Sequence, residues 1–181
     1  MNAHRMSFLG VVFSAAALLL SVRPSFASDG IQTAGDMLQF VLPASAYALT
    51  LANHDGKGAV QYTESAALTL GVTYALKYSL DTERPNGGSH SMPSGHTSIS
   101  FSAAEFMRKR YGWEYGVPAY AAASFVAYSR VESREHHPQD VIVGAAIGIA
   151  SSYIFTKPYH GWDVQADVGE KYYGIRLSRS F

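Results

Sequence analysis

Apolar, alanine-rich stretches recur along the chain between polar breaks, and each stretch is long enough for several helical turns. Residues 37–52 predict a first helix, interrupted by Pro43 and ended by the turn-rich run NHDGKG at 53–58. Residues 59–80 predict a second. A loop rich in Pro, Gly and Ser follows over 84–94. Residues 95–110 predict a third helix whose basic end suits the negative pole of its dipole. Residues 117–129 predict a fourth. A fifth spans 138–156, with Pro138 at a first helical position, where its missing N–H costs nothing. The pattern then changes: residues 162–168 and 172–181 show partial alternation around Gly169, Glu170 and Lys171, which predicts a short terminal hairpin. The terminal Phe after alternating residues resembles the last strand of an outer-membrane barrel, but one hairpin cannot close a barrel. The expected fold class is therefore all-α, a bundle of about five helices with a β-hairpin or irregular tail packed on it.

The N-terminus reads as an address. His4 and Arg5 precede an apolar run over 8–22, and the small residues Ser25 and Ala27 follow at a cleavage site. Residues 1–27 are expected to be a signal peptide cut after Ala27, directing the remainder to the periplasm or cell envelope. The competing reading is an uncleaved anchor, for which the run is short against a hydrocarbon core about 30 Å thick. No internal repeat or linker divides the rest, so residues 28–160 are taken as one domain and 161–181 as its tail.

Composition narrows the function classes. The 181 residues are 48% hydrophobic and 15% charged, the reverse of a disordered profile. Fourteen basic and fourteen acidic residues leave no net charge, which argues against nucleic acid as a partner. Cysteine is absent, and disulfides, zinc–thiolate sites and thiol nucleophiles go with it. The apolar stretches reach only about 14 to 16 residues, short of the ~20 of a comfortable membrane span. Gln39 and Glu64 interrupt them, and mean hydropathy is −0.01. A soluble bundle and a membrane-associated one both remain open, since alanine, glycine and serine permit close helix contacts in either solvent.

Three patches concentrate the unusual residues. Lys77 and Arg84 are separated by six residues across a helix end, where two cations can serve phosphate oxygens or simply satisfy the last carbonyls. Ser94 is a natural N-cap, and its hydroxyl with the free amides of Gly95 and His96 would cradle an anion at the positive end of the helix dipole. Capping alone also explains the serine. Asp140 lies one turn beyond His136, a spacing that lets a carboxylate fix one imidazole nitrogen and leave the other free to attack. Such a pair can equally be structural or bind a metal. Arg130 precedes it and would hold the electrophile. Three cations, an anion-binding helix start and two histidines together describe a site for a phosphate-like group.

The blocks KYSLDTERP, PSGH and SRVESREHHPQD, in that order over residues 77–140, resemble the motifs of the type 2 phosphatidic acid phosphatase superfamily. That superfamily also contains bacterial acid phosphatases and vanadium haloperoxidases. The link between Pro85 and Pro93 is compact for it, which implies a tight loop over the site. By position, the resemblance implies that His136 attacks phosphorus, Asp140 orients it, and His96 protonates the leaving oxygen and then activates water. Lys77, Arg84 and Arg130 would neutralise the phosphoryl oxygens, with Ser94 and the Gly95 amide completing the cradle. It also implies a helical bundle and neither a metal nor another cofactor. Arg134 and His137 fall off the matching positions and are read as entrance or surface residues. His54, His90 and His160 are read as solvated, with His90 brought toward the mouth by the short loop. Tyr74, Tyr78 and Tyr128 flank the cationic positions as core packing or as an apolar access groove.

The expected function is an exported, metal-independent phosphatase acting on a phosphomonoester or pyrophosphate of a lipid through a phosphohistidine. The expected partner is thus a phosphorylated lipid or small phosphoester, with membrane association. The alternatives are a broad-specificity acid phosphatase on soluble esters, and a vanadate-dependent haloperoxidase, against which the small size counts.

Overall fold

The computed structural model describes residues 27–159, 162–169 and 172–179. The proposed signal segment, apart from Ala27, lies outside them, as does His160. The described residues form five helices and a two-stranded hairpin. The helices are α1 (Ala27–Ala52), α2 (Gly56–Leu80), α3 (Gly95–Tyr111), α4 (Trp113–Glu132) and α5 (Pro138–Phe155). The antiparallel strands β1 (Trp162–Gly169) and β2 (Tyr172–Arg179) pair in a register that sets Trp162 opposite Arg179 and Gly169 opposite Tyr172.

Three helix starts differ from expectation; α2 begins at Gly56, three residues early, inside the run read as a turn, with Asp55 as its N-cap. Helix α1 begins ten residues early and runs through Pro43 without a break in the helix. Its polar first half carries no apolar stripe, but Gln32 and Asp36 bond Arg130 of α4, and Leu42, Ala46 and Leu49 enter the core beyond. Tertiary contacts on both sides of the proline override its local cost. Helix α4 likewise starts at Trp113, which puts Pro118 inside it.

Helix α3 is the centre of the bundle and packs against each of the other four. Its sequence is rich in serine, yet Thr97, Ser98, Ser100, Ser102 and Ala103 through Met107 are all buried. Much of the cost of burying hydroxyls is offset by pairing: Thr73 Oγ1 donates to Ser98 Oγ at 3.0 Å, and Ser152 Oγ donates to the Ser102 carbonyl at 2.7 Å. Small residues also set the helix spacing. A Cβ on Gly148 would fall 2.1 Å from the Ser98 carbonyl oxygen, and one on Gly144 would fall 2.6 Å from that of Ser94. Two glycines four apart thus let α5 lie directly on the backbone of α3.

The apolar core is completed by Tyr62, Phe106, Met107, Ala123 and Val126. At the C-terminal end of α3, about 21 Å along the helix from His96, Arg110 is clamped by Asp55 through bonds of 2.6 and 2.7 Å. This buried pair ties α3 to the N-cap of α2. The residues that the sequence marks as candidates lie at the opposite end.

Candidate active site

Three features gather the expected residues. The N-terminus of α3 is joined to that of α5 by a bond from the Ser94 amide to the Asp140 carbonyl, 3.0 Å. After α4 the chain reverses tightly, and the amides of Glu135 and His136 both donate back to the Arg130 carbonyl. The loop from 84 to 94 folds on itself through Arg84 N to Gly88 O at 2.7 Å, with Gly87 in the left-handed region at φ 84°. Its backbone is held from α2: Lys77 Nζ donates to the His90 carbonyl at 2.6 Å.

His136 and Asp140 are both buried, 4% and 1% exposed. Asp140 stands at the third position of α5, and its Oδ2 accepts the His137 amide at 2.8 Å, half of a capping box that fixes the carboxylate. The same oxygen accepts the hydroxyl of Ser91. It lies 3.7 Å from Nδ1 of His136, close enough for strong electrostatic influence but beyond a hydrogen bond, and that nitrogen is buried without a partner. Burial, with Lys77 and Arg84 nearby, drives the His136 imidazole down to about 4 against the opposing pull of Asp140. His136 is therefore neutral at pH 7, with its lone pair available. Burial and the adjacent Arg84 lower Lys77 to about 8.

His96 sits in the first turn of α3. Burial and the Arg130 guanidinium depress it, while Asp36 raises it. Ser94 is the N-cap; its Oγ accepts the hydroxyl of Thr97 at 3.0 Å and, more loosely, that residue's amide at 3.4 Å. A Cβ on Gly95 would meet only Thr73 Cγ2, at 3.9 Å. Backbone amides at such a terminus favour an anion.

The arginines are engaged in ways the motif spacing does not announce. Arg130, 2% exposed, donates from Nη1 to Asp36 Oδ1 at 2.7 Å and from Nη2 to the Gln32 carbonyl at 2.8 Å. Arg84 donates from Nη1 to Glu135 Oε2 at 2.6 Å. Asp36, Glu135 and Ser91 are the site residues that sequence reasoning missed. Glu135 lies inside the third block and Ser91 just before the second, whereas no pattern marks Asp36. His90 lies in the loop, its ring against Tyr78 and Ser89. Tyr74, Tyr78 and Tyr128 are exposed and not in the core. Among the described residues no group of three or more His, Asp or Glu side chains is arranged to hold a metal ion.

This arrangement sets a neutral imidazole, a buried carboxylate, a second histidine and three cations around one helix N-terminus. It has counterparts in known proteins. The PAP2 superfamily profile matches residues 81–162. The chain is 30% identical over 167 residues to the lipid A 4'-phosphatase of Helicobacter pylori (strain J99), spanning 82% of this chain and 84% of that protein. The chain belongs to the PAP2 superfamily. As a member it is a PAP2-type phosphatase, a phosphoric monoester hydrolase.

The fold agrees with that of two solved PAP2 proteins. One is Aquifex aeolicus LpxE, with a TM-score of 0.64 at 21% identity, covering 76% of this chain and 89% of that one. The other is the transmembrane PAP2-type phosphatidylglycerolphosphate phosphatase of Bacillus subtilis, with a TM-score of 0.57 at 19% identity over 86% and 85%. The PAP2 match begins after Lys77 and well after α1, so Asp36 lies outside it.

Proposed function

We propose that the protein removes a phosphate monoester from a lipid without a metal, through a phosphohistidine at His136. The observation that carries this reading is the neutral, buried His136 beside the buried carboxylate of Asp140, with Lys77 and Arg84 acting on the same imidazole. Nδ1 faces Asp140, which leaves Nε2 to attack phosphorus. As the P–N bond forms, the P–O ester bond breaks, and His96 gives its proton to the departing lipid oxygen. Water then gives a proton to His96 and attacks phosphorus, the P–N bond breaks, and inorganic phosphate leaves. Lys77, Arg84 and Arg130 offset the charge on the phosphoryl oxygens, and Ser94 and the Gly95 amide complete the cradle. At neutral pH the three cations supply what a divalent ion would otherwise contribute.

A lipid is the favoured carrier for two reasons. Exposed apolar and aromatic side chains are frequent on the helices: Phe40, Leu51, Tyr78, Ile142 and Ile154 are each more than 65% exposed. Such a surface suits contact with a membrane. The relatives named above also include phosphatases of lipid A and of phosphatidylglycerolphosphate. Helix α5 is the one described helix long and apolar enough to cross a membrane. In this reading residues 28–160 form the phosphatase domain, residues 1–27 address it to the envelope, and 161–181 form its tail.

The test is phosphate release by the purified protein in detergent from lipid A, phosphatidylglycerophosphate, phosphatidic acid, a prenyl diphosphate and a soluble chromogenic ester. Turnover of a lipid monoester well above the soluble ester, abolished in His136→Ala, is expected. Equal or faster turnover of the soluble ester would remove the lipid from the account.

A further inference from the structure

One set of contacts at the site comes from α1, outside the family motifs. Gly35 and Asp36 bring this helix against the end of α4 so closely that a Cβ on Gly35 would fall 1.9 Å from Ser129 Oγ and 2.9 Å from Arg130 Nη2. The approach delivers one carboxylate oxygen, Asp36 Oδ1, to two site residues at once. It lies 2.7 Å from Arg130 Nη1 and 3.0 Å from His96 Nε2. Gln32, one turn earlier, accepts from Arg130 Nη2 through its carbonyl, and Ser129 Oγ accepts from Nε at 3.2 Å.

Building on the phosphatase reading above, we propose that Asp36 is a positioning residue of this enzyme, holding Arg130 and the proton-donating His96 in register from a helix outside the three sequence blocks. The physical case has two parts. Arg130 is a buried guanidinium, and a buried charge without a counter-ion is strongly unfavourable. Asp36 supplies the counter-charge, and the contacts with Asp36, Gln32 and Ser129 use three of the five N–H donors, so two remain for a phosphoryl oxygen. His96 has the second need. It must carry a proton when the ester bond breaks, yet the groups around it oppose that. Arg130 on α4, Arg84 in the loop before α3 and burial all favour the neutral ring, and His136 before α5 is a neighbouring imidazole. Asp36 favours the charged ring, whereas Glu135 is engaged by Arg84.

The experiment compares full-length wild type, Asp36→Asn, Asp36→Glu and His136→Ala in detergent, with kcat and KM taken across pH on the best lipid phosphate. In parallel, the His96 ring is titrated by NMR on histidine-labelled protein. Asp36→Asn should lower kcat about 10- to 100-fold, part of what a positioned general acid contributes, with KM nearly unchanged. Its alkaline limb should move to lower pH, because His96 loses the group that favours its proton. Asp36→Glu keeps the charge and should recover part of both. The His96 titration should shift down in Asp36→Asn whether or not the protein turns over a given lipid.

An unmoved His96 titration, or wild-type kcat in Asp36→Asn, overturns the inference. A fall in KM at unchanged kcat also overturns it, making the carboxylate a competitor of the substrate phosphate. Wild type inactive on every ester sinks the phosphatase reading instead. Active wild type, dead His136→Ala and unaltered Asp36→Asn sink this inference alone.

Discussion

Asp140→Asn separates the electrostatic role of the carboxylate from its role in holding the loop. Oδ2 accepts the His137 amide, which cannot turn away, and the Ser91 hydroxyl. The asparagine oxygen must therefore take the place of Oδ2, and both bonds survive. What disappears is a unit charge 3.7 Å from Nδ1 of His136. At an effective dielectric of about 20, a charge at that separation is worth about 4.5 kcal/mol to a positive imidazole ring. That ring charge develops as His136 bonds to phosphorus, so the loss falls mainly on the chemical step and corresponds to about 1000-fold in kcat. Single-turnover phosphate release from the best lipid substrate, with thermal melting of the same samples, measures it. A rate within about fivefold of wild type at an unchanged melting temperature would refute the reasoning, because a carboxylate that close to the nucleophile could not then be assisting it.

Further outcomes follow from the same geometry. The kcat/KM profile should be bell-shaped: His136 attacks only when neutral, so the rate rises through about 4. Lys77 helps only as a cation and is lost through about 8, so the alkaline side falls by then or earlier as His96 loses its proton; a flat profile from pH 5 to 9 would contradict this. Gly148→Ala sets a methyl 2.1 Å from the Ser98 carbonyl and should cost about 3 kcal/mol or more, since backbone cannot rotate aside; denaturant titration showing wild-type stability would rule out the close α3–α5 contact. Activity should be undiminished after exhaustive chelation, and loss restored by a divalent ion would show that the three cations do not suffice.

The helices were legible because each is an alanine-rich run bounded by Gly, Pro or a capping residue, and the spacings Lys77–Arg84, Ser94–His96 and Arg130–His136–Asp140 are each local to a few turns. The start of α1 was not. Residues 27–36 are polar, and their helical state depends on Arg130, almost a hundred residues away, which no periodicity encodes. For the same reason the motif spacing marks Arg130 and Arg84 as cations for a ligand, but is silent on Asp36 and Glu135, which hold them in place. Pro43 reads as an interruption by local rules, yet it and Pro118 both lie inside helices whose flanks are fixed by the core and by neighbouring helices. The tyrosines show the converse: Tyr74, Tyr78 and Tyr128 have the composition of core residues, and only the packing reveals that they face outward.

The central claim is a covalent bond between phosphorus and His136. Rapid quench of the full-length protein with a phosphate-labelled lipid substrate, followed by alkaline peptide mapping, tests it directly. The account predicts base-stable, acid-labile label on the peptide bearing His136, absent in His136→Ala and accumulating in His96→Ala if water activation becomes slow. Turnover with inversion at phosphorus and no label on any histidine would contradict it.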